Sequence, residues 1–273
     1  MSVHLEWCGR SRLFIKMNLH FDIDLAKGYK SATQIARRLT EGWVAKQMYC
    51  PVCGRPMIEA YPANHPAGDF FCPDCISDFE LKSKEVLSES FRTKVSDGEY
   101  RTLIRRITSS QNPNFFLLHY ADMMVNNLVL IPNHFFVPEI IEARAPLKSP
   151  ARRAGWQGCN ISVGEIPESG KIFIIRNGRE VDRGVVRERY QRTKGLSEKT
   201  IAGRGWLLDV MRCIDKIKNE YFRLDDIYAF ADELQKKYPN NHHVKDKIRQ
   251  QMQYLRDKGV VEFCGNNGRY RKM

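Results

Sequence analysis

The chain has 273 residues, 42% of them hydrophobic and 11% aromatic, which supports a packed core and excludes global disorder. A net charge of +12 and a pI near 9.3 direct it towards a polyanion, nucleic acid before membrane surface. No apolar run has transmembrane length and the opening MSVHLEWCGRSRLFIK lacks a signal peptide's apolar stretch, so a membrane or secreted protein is not expected.

The basic excess is spread along the chain: 15 Lys and Arg face 10 Asp and Glu from Thr200 onward, and 29 face 22 before it. Both parts can therefore meet a polyanion. Eight cysteines, four of them paired as CxxC, suit a bound metal in a reducing, cytoplasmic setting better than disulfides. Cys8, Cys159, Cys213 and Cys264 are scattered and read as buried or free thiols.

Residues 1–16 have no period. Met17 is a candidate start, which makes the segment before it an extension. NLHFDIDLA then alternates Leu19, Phe21, Ile23 and Leu25, the pattern of a strand. Ser31 is an N-cap candidate for a helix to about Gln47, with Ile35, Leu39, Trp43 and Val44 on one face. After the cysteines, Ser96-Asp97 is expected to open an amphipathic helix through about Ser109, with Tyr100, Leu103, Ile104 and Ile107 inward. FFLLHY (115–120) and NLVLIP (127–132) read as buried strands. Residues 133–170 read as loops punctuated by Pro138, Pro146, Pro150 and Pro167, and KIFIIRNG (171–178) as a strand ending in an Asn-Gly turn.

These elements predict an α/β (α+β) domain over 17–183, followed by a charged linker at 184–200. Over 201–273, helical periods cover Trp206–Ile217, Leu224–Tyr238 and Asn241–Lys258. The strand VVEF (260–263), the tip CGNNG and the basic return RYRKM complete the plan of a winged helix.

Between Tyr49 and Lys84 two patterns overlap. Cys50-x2-Cys53 and Cys72-x2-Cys75 are separated by eighteen residues, the spacing of a four-cysteine zinc site. Each CxxC turn offers two thiolates, and four protein ligands leave no open position, so this Zn²⁺ is structural. It would hold the polar loop 54–66, which cannot fold alone.

The second pattern is Asp69, ten residues, then Glu80-Leu81-Lys82. On a strand Glu80 and Lys82 share a face and Leu81 points to the other. A hairpin closed at the cysteine turn would bring Asp69 beside them. Asp69, Glu80 and the Leu81 carbonyl are oxygen donors of the kind Mg²⁺ prefers, and Lys82 could position a water and stabilise developing charge. Glu41, on the preceding helix, is a candidate auxiliary acid.

The chain resembles the PD-(D/E)xK nuclease superfamily, with Gly68-Asp69 in place of Pro-Asp. More closely it is similar to the DpnI-like methyl-directed type II (type IIM) restriction endonucleases. The motifs carrying the likeness are NLHFDIDL, YKS, LTEGWV, YCPVCG, the DFFC to FELKSK stretch, NPNFF, ARRAGWQGCNI, RGW, CIDKI, KIRQQMQYLRDKG and GRYRK. They run from about Met17 to the end of the chain and leave residues 1–16 outside. The resemblance implies a PD-(D/E)xK domain with an embedded zinc site and a C-terminal winged helix. It implies Mg²⁺-dependent cleavage of both DNA strands at GATC carrying N6-methyladenine. Asp69, Glu80 and Lys82 take the catalytic positions by match, and Cys50, Cys53, Cys72 and Cys75 the zinc positions.

Burying one methyl group yields about 0.8 kcal/mol, about fourfold in affinity, so strong methyl dependence needs two methyls, two reading domains or a pocket hostile to the bare amine. Arg152-Arg153-Ala154-Gly155-Trp156 sets cations beside an apolar plate, and the resemblance places Trp156 at the methyl-sensing position. His242, Lys245, Arg249 and Gln250 fall near the start of the third helix of the winged helix, where groove contacts are expected. Arg269, Arg271 and Lys272 on the wing read as phosphate contacts. Two other readings stay open. One is a zinc-containing winged-helix regulator that does not cut. The other is a nuclease for a different modified base.

Overall fold

The computed structural model describes residues 16–63, 65, 68–86, 93–109, 112–198, 200–265 and 268–273. Residues 1–15 of the N-terminal extension, Cys8 among them, and the centre of the wing tip lie outside them. Within them a seven-stranded sheet runs in the order β1 (Glu59–Ala60), β2 (Phe70–Phe71), β3 (Asp78–Glu85), β5 (Asn114–Ala121), β6 (Met124–Ile131), β9 (Ile172–Arg176) and β10 (Arg179–Glu180). Only β3 and β5 pair in parallel. Such a pair needs a crossover, supplied by β4 (Val95–Glu99) and the helix α2 (Tyr100–Ile107).

Every residue of β5 is buried, which explains its unbroken apolar run. Phe115 and Leu117 join one core with Leu103 and Ile107 of α2, while Phe116 and Leu118 join the opposite core. That second core takes Leu39, Trp43 and Val44 from α1 (Ala32–Gln47), on the face the sequence period indicated. Phe79 of β3 stacks on Phe116 with ring centroids 4.8 Å apart. Asn177 and Gly178 (φ 50° and 69°) form the tight turn between β9 and β10, the conformation an Asn-Gly pair favours.

Four local expectations before residue 201 need correction. Residues 19–25 do not form a strand: Ile23–Ala26 is a 3-10 turn, and Asp22 Oδ1 accepts the Asp24 N–H at its start. That short acidic side chain competes with strand pairing despite the alternation. The helix expected from Ser96 begins at Tyr100, because Val95–Glu99 pairs with a strand and Glu99 caps the helix through the Thr102 N–H. Within the loop-rich region 133–170, β7 (Ile141–Ala143) and β8 (Gly158–Ile161) join β4 in a second sheet of order β4-β8-β7. The charged segment 184–200 is mostly the helix α3 (Arg183–Lys194), which buries Val186, Tyr190 and Thr193.

The C-terminal part holds α4 (Ile201–Lys216), β11 (Tyr221–Arg223), α5 (Leu224–Tyr228), α6 (Ala231–Lys237), α7 (Val244–Asp257), β12 (Val261–Cys264) and β13 (Arg269–Lys272). The period over 224–238 hides a break at Ala229-Phe230, so one expected helix is two. The hairpin β12–β13 gains β11 as a third strand, in the order β11-β13-β12. Leu207, Leu208, Val210 and Met211 of α4 pack in the same core as Phe135, Phe136, Val137 and Ile140, so the core is continuous between the two halves. His134 is buried beside Phe135 and edge-on to Tyr190.

Candidate active site and metal centre

The four cysteines sit on two knuckles of the same design. In the first, the Gly54 N–H donates to the Cys50 carbonyl at 2.8 Å and the Cys50 N–H to the Arg55 carbonyl at 2.8 Å. In the second, Ile76 and Cys72 make the matching bonds to Cys72 and Ser77 at 2.8 and 2.9 Å. Both turns put their fifth residue at positive φ, Gly54 at 88° and Ile76 at 56°.

The four Sγ atoms lie within 4.8 Å of one another, with Cys50–Cys75 and Cys53–Cys72 each at 3.6 Å. Tetrahedral zinc with thiolates at 2.3 Å needs S···S separations of about 3.8 Å, so the donor set fits that ion. Among the described residues this is the only group of at least three such side chains able to hold a metal. Burial pushes the Cys50 thiol well above its ordinary range, and metal binding would have to expel that proton.

From the second knuckle the chain enters β3, and the nuclease-like residues follow from the register. Phe70 faces Phe79 and Phe71 faces Asp78. Asp69 extends the ladder by one step: its N–H donates to the Phe79 carbonyl at 2.9 Å and its carbonyl accepts the Tyr61 N–H at 2.9 Å. Its Oδ2 then accepts the Leu81 N–H at 2.8 Å. Gly68 before it has φ 155°, and a Cβ there would stand 2.8 Å from the Phe79 carbonyl oxygen. Proline, locked near −65°, cannot occupy this backbone, so the departure from Pro-Asp is a conformational one.

Glu80 and Lys82 share a face of β3, as alternation predicts, and Lys82 Nζ lies 2.5 Å from Glu80 Oε1. Leu81 packs partly against the opposite core. The structure adds two partners that sequence reasoning missed. Asp97 of β4 accepts from Lys82 Nζ at 2.6 Å, and Arg106 of α2 pairs with Glu80 Oε2. Spacing gave no signal for either, since both come from the crossover between β3 and β5.

Burial raises the Asp69 pKa, with the Leu81 N–H pulling the other way and Glu41 adding to the rise. For Lys82, burial alone would lower the pKa, but the carboxylates of Glu80 and Asp97 more than offset it and hold it up. Asp69 opens on a cleft of about 390 Å³ that Arg37, Arg38, Glu41 and Tyr61 also line. Glu41 itself is tied to Arg37 at 2.6 Å. The cleft thus sets two arginines against the carboxylates of Glu41 and Asp69, while the Glu80–Lys82 pair follows on the adjoining strand.

Two family models match this chain. One, DpnI, described as the Dam-replacing family, matches residues 17–199. The other, described as the Dam-replacing HTH domain, matches residues 202–272.

This chain belongs to the Dam-replacing family.

Membership implies methyl-dependent restriction, and the Dam-replacing HTH domain points to DNA binding. Of the expected DNA contacts in this Dam-replacing protein, Arg152 and Arg153 are exposed, and Arg153 lies over the Trp156 ring, 4.7 Å from its centroid. His242, Lys245, Arg249 and Gln250 are all exposed, and Lys245 lies over the Tyr228 ring at 5.6 Å. Arg269 is exposed, while Arg271 pairs with Glu262 at 2.9 Å. The Lys272 ammonium is bound by the Ile217 carbonyl, which ties it to the end of α4. Among the described residues no helix is long and apolar enough to cross a membrane.

Proposed function

We propose that this protein is a cytoplasmic, Mg²⁺-dependent type II restriction endonuclease that hydrolyses both strands of DNA at GATC carrying N6-methyladenine. One observation carries the reading: the Asp69 carboxylate accepts the N–H of Leu81, which stands between the paired Glu80 and Lys82, on a hairpin that a four-cysteine cluster closes, in a chain of the Dam-replacing family. Residues 17–183 form the catalytic unit, 184–200 a helical connector and 201–273 the winged helix.

Asp69, Glu80 and the Leu81 carbonyl would hold Mg²⁺, all hard oxygen donors on adjoining rungs of one ladder. When bound, the ion supplies Lewis-acid polarisation of the scissile phosphate and a water of lowered pKa. Lys82 orients the attacking water and offsets the charge that builds on the phosphoryl oxygens. The Leu81 N–H keeps the Asp69 carboxylate aimed, and Arg106 fixes the second oxygen of Glu80. Zn²⁺ on Cys50, Cys53, Cys72 and Cys75 holds the hairpin shut and takes no part in the chemistry. Trp156 with Arg152 and Arg153 reads the methylated base in one half. His242, Lys245, Arg249 and Gln250 read the groove in the other, and Arg269, Arg271 and Lys272 lie along phosphate.

The deciding experiment digests matched GATC duplexes, with and without N6-methyladenine, in Mg²⁺. The methylated duplex should be cut. Equal cutting of both would remove methyl direction. Asp69→Ala and Lys82→Ala should each lose at least about 100-fold in rate while still binding the duplex. Binding without cutting by the unaltered protein would favour a regulator.

A further inference from the structure

We infer that Asp97 is a positioning residue that seats Lys82 and ties it, through Arg144, to the loop bearing Trp156. The inference rests on the nuclease reading above and deepens it.

The Asp97 side chain is 9% exposed, and its Oδ1 accepts both Lys82 Nζ at 2.6 Å and the Gly98 N–H at 2.7 Å. Lys82 therefore has two anchors, Glu80 and Asp97, and only Glu80 belongs to the set proposed for metal. When Glu80 turns its oxygen to a cation, Asp97 is the anchor that keeps the ammonium in place. A misplacement of about 1 Å at such a group is enough to cost about 100-fold in rate.

The backbone of Asp97 is coupled to the reading loop. Asp97 pairs with Cys159 and Glu99 with Gly158 across β4 and β8, with a bulge between the two pairs. Bulges re-aim side chains, and this one lies immediately after Asp97. Arg144 reaches over Gly158 so closely that a Cβ there would collide with its guanidinium. From that position its Nη2 donates to the Asp97 carbonyl at 3.2 Å, and the guanidinium carbon lies 5.8 Å from the Trp156 ring centroid. The Gln157 side chain donates to the Arg144 carbonyl at 2.9 Å, closing the loop at the end of the β7–β8 pair. A shift of Trp156 on meeting a base has a short physical route to Lys82: ring, guanidinium, Asp97 carbonyl, Asp97 carboxylate.

The test compares the unaltered protein with Asp97→Asn, Arg144→Ala, Arg144→Lys and the double variant Asp97→Asn/Arg144→Ala. The readouts are kcat and KM on methylated and unmethylated GATC duplexes, duplex affinity without divalent metal, and thermal unfolding. Asp97→Asn should lower kcat on the methylated duplex by about 100-fold and leave KM and affinity within about twofold. Arg144→Ala, which leaves the Lys82–Asp97 contact in place, should shrink the ratio of methylated to unmethylated cleavage. Arg144→Lys, which retains a donor for the Asp97 carbonyl, should recover most of that ratio. The double variant should be no slower than Asp97→Asn, because residues acting as one unit are non-additive. A wild-type kcat in Asp97→Asn, an unchanged ratio in Arg144→Ala, or losses that simply multiply would overturn the inference and leave the nuclease reading standing. Failure of the unaltered protein to cut methylated DNA would overturn both.

Discussion

His134 gives the sharpest physical test of the fold. It is 3% exposed, and its Nε2 has no hydrogen-bond partner among the described residues. Burial, with the Arg204 guanidinium adding to it, pushes the imidazole pKa down from 6.5 to about 3. The folded state thus keeps the ring neutral while the unfolded chain takes up a proton below pH 6.5. The sign follows: the stability is intact above pH 6.5 and drains away as the pH falls from 6.5 towards 3. At about pH 5 the unfolded state is favoured by about 1.5 pH units of proton binding, or about 2 kcal/mol. Urea unfolding at about pH 7.5 and about pH 5, run on the unaltered protein and on His134→Phe, isolates this group, since every other titration and any constant packing cost cancels. The variant should lose about 2 kcal/mol less between the two pH values. Equal losses would refute the placement of a neutral His134 in the core.

Other outcomes follow from the knuckles and the hairpin. The protein should carry one zinc per chain, and stripping it should lower the melting temperature and abolish cleavage by freeing Asp69 from β3; zinc-free protein that cuts normally in Mg²⁺ would break that coupling. Gly68→Ala forces a Cβ against the Phe79 carbonyl and should cost about 2 kcal/mol in unfolding free energy, with a matching fall in cleavage. Ile76→Asn should instead stabilise, by about 1 kcal/mol in thermal unfolding, because a β-branched residue at φ 56° is strained. Nothing is lost there by removing the side chain, which is 84% exposed.

The parts of the fold legible in the sequence are those whose physics is local or whose burial is complete. The cysteine spacing is a chemical constraint in its own right, and β5 carries the apolar run Phe115–Leu118 because both of its faces are covered. The alternation of Glu80, Leu81 and Lys82 puts the carboxylate and the ammonium on one face through strand geometry alone. What stayed hidden depends on partners distant in sequence. β4 reads as a helix start because Ser96 and Asp97 are good caps, but pairing with β8 more than sixty residues away decides otherwise. α3 is so polar that only Val186, Tyr190 and Thr193 mark its buried side. Asp97 and Arg106 escaped notice for the same reason: they meet Lys82 and Glu80 only once the crossover has folded back.

The continuous core between the two halves has a consequence for the DNA itself. Tyr254 Oη donates to the Gly195 carbonyl at 2.8 Å, Asp215 accepts the Glu168 N–H at 2.9 Å, and Arg212 pairs with Glu165. With apolar packing beneath those bonds, the distance between the nuclease edge and α7 is set by the protein. A duplex that touches both must adjust its own axis to that span. The cost of doing so depends on how readily each base step bends, so sequences flanking the site should tune how well it is recognised.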